Sequence, residues 1–130
     1  MDEFKVPGWA EVVEWFGAAP SFHDAEVESI DLRRGLYPTI IRVHVWRTNG
    51  ALDEDGHFSL DRHATVSFVL TGVVQQDLTG WNDQNVLFDL RLSKEEETYV
   101  LTLDASYGLS GEIAATGMRI EVIPHPKSAG

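Results

Sequence analysis

From Ala64 to Val74 the chain alternates with a period of two: Val66, Phe68 and Leu70 fall on one side, Thr65, Ser67 and Thr71 on the other. That spacing places the two sets on opposite faces of an extended strand, and such a strand buries its apolar side only as part of a sheet. The pattern recurs. In "TIIRVHVWR", Ile41, Val43 and Val45 oppose Arg42, His44 and Trp46. Val86, Phe88, Leu90 and Leu92 read as one face against Asn85, Asp89 and Arg91, and Tyr99, Leu101, Leu103 and then Met118, Ile120, Val122 form two further apolar rows. Between Val27 and Leu32 the apolar phase slips, the mark of a bulge. With no helical pattern between them, about six such strands pair antiparallel.

One helix is expected before them. In "PGWAEVVEWF", Trp9, Val12, Val13 and Phe16 recur at helical spacing, with a proline near the start and Gly17 just past the end. The expected fold is mainly β (α+β): a single antiparallel, curved sheet of about six strands with one short N-terminal helix. The helix covers only part of the apolar face, so the sheet curls or splits to bury the rest; a curved sheet, a sandwich and a partial barrel all satisfy the pattern. At 130 residues, with no repeat and no composition break, the chain reads as one domain, 1–130. Two connections stand out. Asn49 to His63 is long, acidic and turn-rich, and Ser106 to Gly117 carries three glycines.

The formal charge of −11, from 21 acidic and 10 basic residues, repels phosphate backbones and anionic lipid, so neither nucleic acid nor a membrane is an expected partner. A basic protein would be steered inward. The absence of cysteine excludes disulfides, thiolate nucleophiles and cysteine-based zinc sites and suits a reducing cytoplasm. No apolar run is long enough to span a bilayer, and the N-terminus lacks a signal-peptide layout, so a cytoplasmic protein is expected.

"PSFHDAEV" sets His23, Asp24 and Glu26 within four positions. One reading is a small-ligand or metal site, or an enzyme built around these three residues. The competing one is a strand-initiating turn in which Asp24 accepts backbone hydrogen bonds and His23 packs beside Phe22. His44, His57, His63 and His125 show no i, i+4 pairing and there is no HExxH. Asp53, Glu54, Asp55 and Asp61 lack the spacing and terminal glutamate of a calcium loop, and "GLSGE" around Ser110 is neither a nucleophile elbow nor a phosphate loop. No catalytic residue, metal or cofactor is assigned. In "GWNDQN", Trp81 with Asn82, Gln84 and Asn85 reads either as a hydrogen-bonded turn fixing strand register or as a recognition surface.

"PSFHDAEV" followed by a strand, then "GWNDQNVLFDLRL", then "YGLSGEI" leading into the last strand, together span Pro20 to about Val122. In that order they resemble the immunity protein 50 family of bacterial polymorphic toxin systems. The resemblance implies a non-enzymatic cytoplasmic protein that binds and neutralises a cognate toxin domain, with His23, Asp24, Glu26, Trp81, Asn82, Gln84 and Asn85 as family-like positions. Acidic charge agrees with a basic toxin partner, and the loop acids Asp53, Glu54 and Asp55 join the expected contact surface. A third possibility is a subunit that dimerises through a sheet edge or face, against which the charged outward row Arg42, Asp89, Arg91, Arg119 and Glu121 argues.

Overall fold

The computed structural model describes residues 5–52 and 58–125. After helix α1 (Trp9–Phe16) come β1 (Glu26–Asp31), β2 (Thr39–Leu52), β3 (Phe58–Thr79), β4 (Val86–Glu95), β5 (Thr98–Tyr107) and β6 (Ser110–Pro124). All neighbouring strands run antiparallel, in the order β1-β2-β3-β6-β5-β4, and β4 returns to β1 so that the curved sheet closes into a barrel. Two meanders of three strands are thus joined twice. A long β3–β6 ladder runs from Ala64↔Pro124 to Thr79↔Ser110, whereas β1 meets β4 at the single register pair Glu26↔Val86.

The expected inward rows fill the barrel: Ile41, Val43, Val45, Val66, Phe68, Leu70, Leu101, Leu103 and Ile120 are buried in one core. Interiors of small barrels are packed solid in this way. The helix lies against β6 and β3 and adds Trp9, Val12 and Phe16 to that core, each apolar side chain contributing about 1.5–3 kcal/mol on burial. Its approach depends on Gly8, which adopts φ +94° and packs so closely on the Ile120 carbonyl that a Cβ would overlap it. The Pro7 carbonyl accepts the Ile120 N–H at 2.8 Å. Gly17, also left-handed, ends the helix and donates its N–H to Val13 O at 2.8 Å.

The phase slip in β1 is a bulge, with the register shifting between Val27 and Ser29. Four expectations are corrected. In β4 the inward residue is Leu87, fully buried, while Phe88 is 57% exposed; irregularities between Val86 and Leu87 and between Leu87 and Asp89 invert the phase at this point. Asn85, read as outward, is 3% exposed. Thr65 and Ser67 are buried despite their outward positions. The acidic connection is shorter than its composition implies, because β2 and β3 pair through Thr48↔Leu60 to Leu52↔Phe58. Asp53, Glu54 and Asp55 lie outside the described residues.

Candidate functional site

"PSFHDAEV" and the start of β4 are brought together at the β1–β4 seam. The Asp24 N–H donates to Leu87 O, the Leu87 N–H to Ala25 O and the Val27 N–H to Asn85 O, each at 2.8 Å. Asp24 takes φ +69° to make this turn, a conformation that Asp tolerates better than most residues. The Phe88 carbonyl accepts from His23 Nδ1 at 3.0 Å, and the imidazole meets the Phe88 ring edge-on at 5.3 Å between centroids. With Nδ1 as the donor, neutral His23 presents a bare Nε2 to Asp24 Oδ1, 3.7 Å away, so the two form an ion pair only when the ring is protonated. Both side chains are more than half exposed.

Residues 80–85 cross from the first meander to the second, and Asn85 fastens the crossover. Its Oδ1 accepts the Asn82 N–H at 2.9 Å and the Leu109 N–H at 3.0 Å, while Nδ2 donates to Asn82 O at 2.7 Å. One buried amide therefore ties the crossover to the β5–β6 turn. Gly108 is needed opposite, since a Cβ there would come within 2.6 Å of Asn85 Oδ1. Asn85 has no surface to offer a partner. Trp81 (53% exposed), Asn82 and Gln84 do.

His23 and Asp24 also line an open cleft of about 420 Å³ between the segment after α1 and β2. Phe16, Ala18, Ala19, Pro20, Ala25 and Val45 supply apolar wall, with Ser21 and Trp46 completing it. Glu26 lies beyond it, opposite His44 in the β1–β2 register. Behind Trp46 stands a group that the sequence pattern did not single out. His44 on β2 contacts Trp46 (5.3 Å), His63 (5.2 Å) and His125 (4.8 Å) by ring centroids. Burial, followed by the neighbouring charges of His125 and His63, lowers the His44 pKa, and Glu28 and Glu26 oppose the shift. The outward alternation of His44 and Trp46 was the available signal; His63 and His125 join them only through strand pairing. Among the described residues no three His, Asp or Glu side chains are arranged to hold a metal ion.

A second concavity, of about 430 Å³, lies where the β4–β5 hairpin end meets β3 and β6. Val74, Val100 and Ala114 supply its apolar surface, and Glu95, Glu96 and Glu112 its charge. The register shift between Val73 and Gln75 leaves Val74 out of the ladder and 62% exposed. None of the three glutamates has a basic side chain within ion-pair distance among the described residues, unlike Asp31, Asp89, Asp104 and Glu121, which pair with Arg33, Arg91 and Arg119.

Of the residues expected to meet a partner, the fold thus gathers His23, Asp24, Glu26 and Asn85 at one seam, leaves Trp81, Asn82 and Gln84 on the crossover, and buries Asn85. Comparison of the chain with models of known protein families, with curated proteins and with solved structures finds no match.

Proposed function

We propose that this chain is a non-enzymatic binding module that captures a basic protein, acting as an immunity protein toward a toxin domain in the cytoplasm. The observation that carries this reading is the groove in which Glu95, Glu96 and Glu112 stand around Val74, Val100 and Ala114, with no basic side chain within ion-pair distance of the three carboxylates among the described residues. Apolar surface rimmed by uncompensated charge suits a partner that brings lysines and arginines around a small apolar contact. The net charge of −11 extends the same field over the molecule and disfavours nucleic acid as the ligand. The resemblance to immunity protein 50 supports the identity of the partner as a toxin. No described helix is long and apolar enough to cross a membrane.

The test is co-expression with basic toxin domains encoded beside this gene, with survival as the readout, followed by binding of the purified pair. Rescue by the wild type and weakened binding by Glu95→Gln/Glu96→Gln/Glu112→Gln is expected. Failure to protect against any of them, together with no affinity for the purified domains, would overturn the reading.

The cleft beside His23 and Asp24 favours a second reading, a small-ligand site at the seam. A ligand specific for the native state raises apparent stability, so a thermal-shift panel of divalent metals and small anions and cations tests it; no shift with any of them counts against it.

A further inference from the structure

The three histidines behind Trp46 are joined in a way that responds to protons. His44 Nε2 and His63 Nδ1 are 3.0 Å apart, so one of these nitrogens must carry hydrogen and the other must be bare. His125 lies flat on His44, with 4.8 Å between ring centroids and 23° between planes. Its own tautomer is set by its neighbours. The Thr65 hydroxyl donates its single hydrogen to Glu28 Oε1 at 3.1 Å, and therefore accepts from His125 Nε2 at 2.8 Å. The His125 backbone N–H donates to His63 O at 2.9 Å, one step beyond the final Ala64↔Pro124 pair of the β3–β6 ladder. The end of β6 is thus held on the outer face of β2 and β3 by side chains as well as by backbone.

We infer that His44, His63 and His125 form a proton-operated latch that holds His125, the residue just past the end of β6, against β2 and β3 while the rings are neutral and frees it when the group takes up more than one proton. The first proton can be accommodated. A charged ring of the His44–His63 pair still donates to its neutral neighbour, and Glu26 and Glu28 on β1 face the group. A second proton on that pair sets N–H against N–H and breaks the bond. A proton on His125 places a second cation against the face of His44. Among the described residues the other charges on the surrounding elements are engaged elsewhere: Arg42 on β2 donates to Ser29 Oγ at 3.3 Å, Arg62 on β3 lies over the Trp15 ring, and Arg119 and Glu121 on β6 pair with each other. The pair of strands already bonded through Ala64↔Pro124 stays in place, so the moving part is His125 itself.

The experiment is imidazole ¹⁵N NMR with amide hydrogen exchange on the full chain, from about pH 7.5 to about pH 5, the range across which histidine changes charge. At the upper end His125 should show the Nε2–H tautomer, and the His44–His63 pair should titrate in two coupled steps. The His125 amide protection factor should fall about tenfold for each pH unit over which the open form holds one more proton, with Val66 and Ile120 amides unchanged. His44→Phe keeps a ring against His125 and removes the proton-sensitive nitrogen, so its His125 protection should lose the acid dependence. Independent single-site curves for the three rings, a His125 Nδ1–H tautomer, or protection that stays constant as the rings titrate would each overturn the latch. Should His44→Phe not fold, the wild-type spectra and the Thr65→Val tautomer shift decide the question.

Discussion

Asn85 is the residue on which most of the local order depends. Its side chain satisfies two backbone N–H groups and one carbonyl in a place closed to water. Each buried polar group left unpaired costs about 1–3 kcal/mol. Asn85→Ala should therefore lower stability by about 2–4 kcal/mol, read as a fall in the urea midpoint, and should expose the Leu109 amide to exchange. An unchanged midpoint would mean that water replaces the amide. His44 makes a second prediction at this scale. Its folded-state pKa is depressed, so between the folded and unfolded values the unfolded chain binds more protons and stability rises with pH. The contribution is complete above the unfolded value of about 6.5 and is lost as pH falls through the folded one. Urea midpoints should accordingly fall as the pH drops from about 6.5 through that range in the wild type, and less in His44→Phe. Equal pH slopes for the two proteins would contradict the assignment.

Among the elements, the contrast between the two joins of the barrel governs how it opens. The β3–β6 ladder is long and backed by Phe68, Leu70 and Ile120, whereas the β1–β4 seam has one register pair and three flanking backbone bonds. Openings with few buried contacts have the lowest free energy. The Val27 and Leu87 amides should exchange through a local opening, well before those of Val69 and Arg119, which face each other in the β3–β6 ladder, and with a weaker dependence on denaturant. Uniform exchange at both joins would contradict a weak seam. The sequence was informative about these elements where side-chain period alone decides burial: the helix face from Trp9 to Phe16, the rows of β2, β3 and β6, and the slip in β1. It failed at Leu87 and Phe88, because irregular pairing with β5 reverses the phase and depends on a partner strand remote in sequence. It also missed the pairing of β2 and β3 through polar residues, since a ladder's hydrogen bonds come from the backbone. The meeting of "PSFHDAEV" with β4 is a property of closure, which no local pattern records.

For the molecule as a whole, two of the three motifs that carry the resemblance have structural roles at the seam and crossover, while the third, "YGLSGEI", brings Glu112 to the acidic groove elsewhere on the barrel. His23, Asp24 and Trp81 remain accessible for a partner, but the groove combines apolar surface with uncompensated charge. That combination had no signature in the sequence beyond the acidic run Glu95 to Glu97, because Val74, Val100 and Ala114 come from three strands. The most direct test is the association rate of a basic toxin domain, one that this protein protects against, measured by stopped-flow at low and high salt with the wild type and with Glu95→Gln/Glu96→Gln/Glu112→Gln. A groove that steers a basic partner predicts that the wild-type rate falls by about tenfold or more as salt rises, and that the triple variant associates slowly at low salt with an unchanged urea midpoint. Equal rates for the two proteins at every salt concentration would contradict it.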